Sequence, residues 1–176
     1  MRGHAEILSV VVLSFAIAGN QARAQGAPSD TASSTRRNWL IGASIGVPGY
    51  EKEALPELFT VGMNITQIKP GRLGADFSVG TMPRAFTAGA GVLGVRAGGV
   101  FPVALAPDLL LLPSAGLSLL GGAGDGGVAG LAGVNAGVAA VLWTGPIGVR
   151  TGITWHHFHD AGGAVWLIEL GFVRAN

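Results

Sequence analysis

The chain has no cysteine and few charged residues, and each scarcity excludes a class of protein. Without cysteine, an exported protein cannot be one of the small secreted domains held together by disulfides, and it cannot carry a lipid on an N-terminal cysteine. Charged residues make up 12% of the 176 residues, about half of the usual share. A soluble domain with so few charges would have difficulty covering its surface, whereas a protein whose outer surface faces lipid would not.

Long apolar runs are also missing. The N-terminal run, 7–18, has 12 residues, too few for a helix that crosses a bilayer. It follows the basic Arg2 and precedes Ala22-Arg23-Ala24, an A-x-A site typical of signal-peptide cleavage. The alternative is an uncleaved membrane anchor. We therefore predict a signal peptide at 1–24 with cleavage near Ala24-Gln25, a flexible periplasmic leader at 25–38, and one domain at 39–176.

The balance of charge gives no support for nucleic-acid binding. The full chain has 11 basic and 10 acidic side chains. Cleavage of the signal peptide removes Arg2, Arg23 and Glu6, so nine of each sign remain. A mature chain of zero formal charge lacks the basic surface by which proteins attract nucleic acid.

The dominant pattern is an alternation of apolar residues with small or polar ones. From Trp39 to Val47 the odd positions are apolar, and the even positions include Gly42, Ser44 and Gly46. A period of two predicts β-strands, because successive side chains point to opposite faces of a sheet. Eight segments follow this pattern with more or less regularity: 39–47, 59–69, 72–82, 86–100, 109–120, 128–143, 146–157 and 164–174.

These eight segments predict an all-β protein, an eight-stranded antiparallel up-and-down transmembrane β-barrel. The apolar face of each strand would meet lipid, and the small, polar face would line a narrow lumen. Two alternatives are a soluble exported carrier barrel and a helical inner-membrane protein with spans at 85–106 and 127–142. Against the helices, glycine costs about 1 kcal/mol relative to alanine in a helix interior, and Arg96 would lie in mid-membrane.

The connections differ in length. Segments 69–71 and 144–146 have the residues of tight turns, whereas 48–58, 121–127 and 157–163 are longer or more polar. The connection at 101–108 is long for a periplasmic turn, and Pro113 lies awkwardly inside its strand. An even number of strands places both termini on the periplasmic side. We therefore expect 51–57 and 157–163 to lie outside the cell.

Four charged side chains fall on the small, polar face of their strands: Asp76, Arg96, Arg150 and Glu169. Charges facing lipid at mid-depth would be costly, so we expect them to pair inside the lumen. In a meander, Arg150 and Glu169 lie on adjacent strands. Trp39, Trp143, Trp155 and Trp166 lie at or near strand ends, where aromatic side chains form girdles at the membrane interface.

With this strand pattern the domain resembles the small eight-stranded outer-membrane barrels of the OmpA-transmembrane-domain, OmpX and OmpW type. The resemblance covers 39–174 and implies an outer-membrane location in a Gram-negative bacterium. It also implies contact with outer-membrane lipid and lipopolysaccharide, insertion by the barrel-assembly machinery, and a monomeric state. No cofactor is implied. The roles it suggests are envelope integrity, adhesion or, as in porins, passage of small solutes.

The segment from Trp155 to Gly162 carries the densest chemistry. It resembles part of the outer-membrane lipid A 3-O-deacylases, whose catalytic His would correspond to His157 and whose nucleophilic Ser would correspond to His159. Glu169 would be the acidic partner. Because His159 replaces the hydroxyl that such acyl transfer uses, we expect no deacylase activity; the alternative function is a lipid A deacylase-like membrane enzyme. His156, His157, His159 and Asp160 are also weak candidates for a metal site, since imidazole suits zinc, copper and nickel; the alternative is a polar surface loop.

Overall fold

The structure, a computed structural model, describes residues 39–51, 53–55, 58–69, 71–87, 89–159 and 163–176. The expected signal peptide at 1–24 and leader at 25–38 lie outside the described residues. The described elements are β1 (Trp39–Tyr50), β2 (Glu53–Ala54), β3 (Thr60–Gln67), β4 (Gly74–Thr81), α1 (Pro83–Thr87), β5 (Gly91–Val100), β6 (Val103–Ala106), β7 (Leu109–Gly124), β8 (Gly127–Thr144), β9 (Ile147–Phe158) and β10 (Ala164–Ala175).

Eight of these strands form a closed antiparallel barrel in the ring order β1-β3-β4-β5-β7-β8-β9-β10. The ring closes where β10 pairs with β1, from Leu40 opposite Ala175 to Tyr50 opposite Val165. The short β2 pairs with β1, and β6 pairs with β7. The predicted eight-stranded up-and-down barrel is therefore confirmed. Closure removes the unpaired strand edges that lipid would not tolerate.

The two alternating sets of residues in each strand face the outside and the lumen of the barrel, respectively. Large apolar side chains cover the outer wall, where Ile45 is 60% exposed and Phe172 is 64% exposed. We call this surface the apolar belt. Its exposed members include Ile41, Ile45, Val61, Met63, Ile65, Leu73, Phe77, Leu93, Leu117, Leu119, Val134, Trp155, Ile168, Leu170 and Phe172. The residues between them face inward and are small, polar or buried.

The segment before the fourth barrel strand differs from the prediction. A strand was expected to begin at residue 86, but α1 occupies this region and β5 begins at Gly91. Pro83 stands at the first position of α1, where its missing N–H has no helical partner to lose. The stretches considered as helical spans, 85–106 and 127–142, form mainly β5, β6 and β8. No helix in the described part of the chain is both long and apolar enough to traverse a membrane.

The long connection expected at 101–108 is a strand interrupted by proline. β5 ends at Val100, the chain breaks at Phe101 and Pro102, and β6 then continues along β7. The carbonyl of Pro113 accepts a hydrogen bond from the Phe101 amide at 3.0 Å. Because the amide and carbonyl of a strand residue face the same neighbour, the missing N–H of Pro113 falls where the ladder is already broken. A proline inside β7 is thereby tolerated.

The two ends of the barrel have different connections. One end, called here the terminal end, holds both ends of the described chain, the two-residue turns at 107–108 and 145–146, and the connection between β3 and β4. Gly71 and Gly145 adopt φ of 66° and 79° there, a backbone region that glycine enters without steric cost. The opposite loop end holds the connections at 51–59 and 82–90, the Asp125-Gly126 turn and the connection at 159–163. The two longest connections between barrel strands, β1 to β3 and β4 to β5, thus lie at the loop end, whereas the Asp125-Gly126 turn there is as short as the turns at 107–108 and 145–146.

Candidate functional site

The lumen is filled in layers along the barrel axis. The layer nearest the terminal end is an apolar plug of inward-facing and adjoining side chains, defined as Leu40, Ile68, Val100, Leu112, Ala139, Val141 and Val173. Leu40 and Val141 have no exposed surface, and Val100 and Leu112 are each 1% exposed. Side chains this little exposed pack against one another between the strands. The polar lumen expected from the sequence therefore gives way to an apolar core at this end.

Arg96 lies above the apolar plug and joins opposite walls of the barrel. Its Nη1 lies 3.4 Å from Oε2 of Glu169 and donates a 2.7 Å hydrogen bond to Oγ1 of Thr154. Its Nη2 lies 3.6 Å from Oδ2 of Asp76. The hydroxyl of Ser44 donates to the other oxygen of Glu169 at 3.2 Å. One guanidinium thus contacts two carboxylates that the chain brings from β4 and β10.

Asp76 is the second centre of the cluster. Its Oδ1 accepts a 2.5 Å hydrogen bond from Thr66 and lies 3.9 Å from Nη2 of Arg150. The side chain of Asp76 is 3% exposed and that of Arg150 is 9% exposed. Buried charges of opposite sign stabilise each other only when they remain paired. Asp76, Arg96, Arg150 and Glu169 are together called the charge cluster below.

Two of the three pairs in the charge cluster cross the lumen, and the third, Arg96 with Asp76, joins adjacent strands. In the ring order, β5 with Arg96 is diametrically opposite β10 with Glu169, and β4 with Asp76 is opposite β9 with Arg150. The adjacent-strand residues Arg150 and Glu169 stand opposite Gly171 and Gly152, two residues apart in register. The structure therefore brings all four predicted charges into one lumen cluster, and each acidic group pairs with the base on the far wall.

A cavity of about 120 Å³ occupies the lumen between the charge cluster and the loop end. Its walls are mainly apolar, with Val92, Leu120, Phe158, Val165 and Leu167 among them. Polar groups form its floor, where Arg96 and Glu169 meet Ser44, Ser118 and His156. We call this space the loop-end cavity. The regular alternation along the strands does not predict this cavity, because its size depends on which inward residues lie at the same height in the barrel.

Ser118 and His156 form a polar contact that the sequence did not reveal. The Oγ of Ser118 lies 2.9 Å from Nδ1 of His156, and Asn135 donates a 2.8 Å hydrogen bond to the same oxygen. The His156 ring stacks on Phe158 with centroids 5.9 Å apart. A hydroxyl beside an imidazole can act as a nucleophile. Here Ser118 is 3% exposed, and its contacts to β8 and β9 tie three neighbouring strands together.

The histidine-rich segment is divided by the barrel wall. His156 faces the lumen, whereas His157 is exposed on the other face of β9 and His159 is exposed in the following turn. Glu169 faces the lumen opposite Gly152, five residues along β9 from His157, or roughly 17 Å at strand spacing. The residues that the deacylase resemblance implied are therefore not brought together. In the described part of the chain, no three His, Asp or Glu side chains are arranged to hold a metal ion; Asp160 lies outside the described residues.

The four tryptophans occupy different environments. Trp39 is 42% exposed on the outer wall at the terminal end. Trp155 and Trp166 stand directly opposite each other on the outer wall towards the loop end, and the Trp166 indole donates to the Glu51 carbonyl at 3.1 Å. Trp143 faces inward, where it packs against the apolar plug and its ring approaches Gly148. Trp143 thus lies at a strand end, as expected, but on the inner side of the wall; an interface role for the other three tryptophans stays a prediction.

Comparison with known proteins places the fold among small outer-membrane barrels. No family model matches the chain, and no curated protein sequence does so either. Among solved structures, Neisserial surface protein A is similar over 79% of this chain and 97% of its own, with a TM-score of 0.56 and 12% identity. The N-terminal β-barrel domain of Pseudomonas aeruginosa OprF is similar over 76% and 96%, with a TM-score of 0.54 and 12% identity. Ail, the attachment invasion locus protein of Yersinia pestis, is similar over 77% and 95%, with a TM-score of 0.52 and 14% identity. At these identities the likeness concerns the fold, and it confirms the resemblance to small eight-stranded outer-membrane barrels.

Proposed function

We propose that this protein is a monomeric outer-membrane barrel that supports the integrity of the envelope and does not conduct solutes. The observation that carries the proposal is the combination of an outward apolar belt with a lumen filled by the apolar plug and the charge cluster. Exposed apolar side chains around a closed barrel suit a lipid surface. A lumen occupied by packed side chains suits an anchor better than a pore.

The partners of this role are outer-membrane lipid, lipopolysaccharide and the barrel-assembly machinery. Because β1 and β10 pair along their length, the barrel leaves no long open edge to join to a second copy. The loop end, with the longer connections, would face the outside of the cell, and the terminal end would face the periplasm. The name of Ail refers to attachment; an adhesive role of this chain would have to be carried by the loop end.

Conductance and deletion experiments test the proposal. Purified protein in a planar bilayer is expected to give no steady current, because the apolar plug closes the terminal end. Deletion of the gene is expected to increase sensitivity to detergent and to large apolar antibiotics, and the wild-type gene should restore resistance. Stable single-channel steps would overturn the closed-barrel proposal in favour of solute passage. An unchanged sensitivity profile would overturn the envelope-integrity role.

A further inference from the structure

The loop-end cavity exists because the barrel wall is lined there by glycine. Gly62 stands opposite Gly80, and Gly80 stands opposite Gly94, so three adjacent strands present glycine to the lumen in a single row. A Cβ on Gly94 would have its nearest neighbours at 3.7 Å, the Leu120 side chain, and 3.8 Å, the Gly80 carbonyl. These are ordinary van der Waals distances, whereas a Cβ on Gly62 would lie 2.9 Å from the Val79 carbonyl and one on Gly80 would lie 3.3 Å from the Val61 carbonyl. Gly94 is therefore the glycine of this row that leaves most room on the lumen side.

Nearer the terminal end, glycine is needed on the inner face for a different reason. Gly98 and Gly116 stand opposite each other on β5 and β7. A Cβ on Gly98 would collide with the Ala115 carbonyl and with the Cα of Gly116, which lies within 2.7 Å of its position. Close backbone approach therefore explains Gly98, whereas Gly94, four residues away on the same face, leaves room that the protein does not fill.

The chemistry of the cavity is apolar at the walls and balanced at the floor. Arg96 and Glu169 bring one charge of each sign to the floor and contact each other at 3.4 Å. A charged ligand would have to displace one of them from its partner, at the cost of a buried charge left unpaired. An uncharged group can instead add hydrogen bonds to the existing floor. The Glu169 side chain is 18% exposed, the most exposed of the charge cluster, so its carboxylate is the acceptor most open to such a group.

A second observation points to unused hydrogen-bonding capacity at the floor. Arg96 is 6% exposed as a whole. Its Nε is buried and has no hydrogen-bond partner among the described residues. Buried donors are usually satisfied, because an unmade hydrogen bond is costly. The Nε is enclosed by its neighbours, so a guest at the floor meets the open carboxylate of Glu169, which suits a group that donates a hydrogen bond.

We propose that the loop-end cavity binds a small, uncharged hydroxyl compound of one ring, of the phenol or benzyl alcohol class. The ring would lie against Leu120, Phe158 and Leu167, and the hydroxyl would face Glu169 and Arg96. The volume supports this size, since an engineered apolar cavity of about 150 Å³ holds benzene. Ligand binding in this cavity is a function additional to the envelope role. It does not depend on that role, because it can be measured on the purified barrel.

The experiment measures binding of 4-fluorophenol to the barrel in lipid nanodiscs by fluorine NMR. Fluorobenzene, which lacks the hydroxyl, and 4-fluorobenzoate, which adds a charge, are the comparison probes. We expect saturable binding of 4-fluorophenol, binding of fluorobenzene weaker by about tenfold through loss of a hydrogen bond to a charged group, and no saturable binding of 4-fluorobenzoate. Equal binding of fluorobenzene, or tighter binding of 4-fluorobenzoate, would overturn the proposed recognition of an uncharged hydroxyl.

A matched pair of glycine variants locates the site. Gly94→Leu fills the loop-end cavity and is expected to abolish saturable binding. Gly121→Leu adds the same side chain to the outer wall of β7, where the nearest atom is 4.0 Å from a Cβ, and is expected to bind like the wild type. Equal binding by both variants would show that the probe sits elsewhere, in lipid or on the belt. Should Gly94→Leu fail to fold, nuclear Overhauser contacts between the probe and the methyls of Val92, Leu120 and Val165 in the wild type decide the location, and their absence would overturn the proposal.

Discussion

Arg96 and Glu169 are 73 residues apart in the sequence, on strands that do not pair, yet their side chains meet at 3.4 Å in the middle of the lumen. The contact links β5 and β10, which are diametrically opposite in the ring. It therefore forms only when the barrel has closed at its native diameter. The charge cluster acts as a set of cross-braces between opposite walls.

Removal of Arg96 should destabilise the barrel more than any other single change in the charge cluster. Arg96→Met leaves Asp76 and Glu169 without a shared partner, and breaking a buried pair costs about 3–5 kcal/mol. Arg150 lies 3.9 Å from Asp76, farther than Arg96 lies from either of its carboxylates. Arg150→Met should therefore cost less stability. The urea midpoint of the detergent-folded barrel measures both, with Arg174→Met on the outer wall as the control. A midpoint for Arg96→Met equal to that of the control would show that these charges are solvated.

The apolar belt predicts that a charged substitution on the outer wall costs more stability at mid-membrane than near the ends of the barrel. Leu170 is 52% exposed on the outer wall, midway along β10. Leu170→Arg should lose about 2–4 kcal/mol of stability in lipid, whereas a site beyond the bilayer should lose about 0–1. Val128, 87% exposed beside the Asp125-Gly126 turn, provides the matched site in Val128→Arg. Folding titrations in lipid vesicles measure the difference, and equal costs at both sites would be inconsistent with a membrane-spanning belt.

Gly94 and Gly98 both lie on the inner face of β5, but substitution by valine should have different effects at the two positions. Gly98→Val places a side chain into the backbone of β7, so strands must separate and the folded fraction should fall. Gly94→Val places its Cβ at ordinary van der Waals distances from Leu120 and the Gly80 carbonyl and should fold as well as the wild type. The fraction of barrel that migrates in folded form without boiling is the measurement. Similar folding of the two variants would contradict the difference in close approach.

Orientation can be tested with single cysteines, since the chain has none of its own. Asp125→Cys lies in a turn at the loop end, and Lys69→Cys lies in a connection at the terminal end. With the loop end outside, a membrane-impermeant maleimide should label Asp125→Cys on intact cells and Lys69→Cys only after the outer membrane is broken. The reverse pattern would show that the barrel is inserted the other way round.

The arrangement of the histidines predicts that the protein has no lipid A deacylase activity. His157 is on the outer wall and Glu169 is in the lumen, so the acidic group cannot orient that imidazole as a catalytic triad would require. Mass spectrometry of lipid A from expressing cells should show an unchanged set of acyl chains. Loss of one hydroxyacyl chain, abolished by His157→Ala, would make the enzyme alternative the leading one.

The sequence was informative where one local rule determines the outcome. A period of two identifies which side chains of β1, β3, β4, β5, β9 and β10 face outward, and so it places Asp76, Arg96, Arg150 and Glu169 inside. It cannot say which of these charges meet, because that depends on the stagger and diameter of the closed ring. The same limit hid the contact of Ser118 with His156 and the inward turn of Trp143.

Other features were not predicted from the sequence, because they depend on local irregularities and on the alignment of strands. The break at Phe101 and Pro102 lets β6 continue the line of β5, which the sequence showed only as a long connection. The loop-end cavity depends on Gly62, Gly80 and Gly94 falling in one row, and register between strands 14 to 18 residues apart is not visible in the chain. Both features follow from how strands align, which is set by the whole barrel.

A closed barrel that spans the outer membrane can be recognised by fractionating cells and running the outer-membrane sample on a gel with and without boiling. The protein should remain with the outer membrane after carbonate extraction. Unboiled protein should migrate as a compact folded band, which shifts to the position of the unfolded chain on boiling. Recovery of the protein in the soluble periplasmic fraction, with the same migration before and after boiling, would contradict a membrane-spanning barrel.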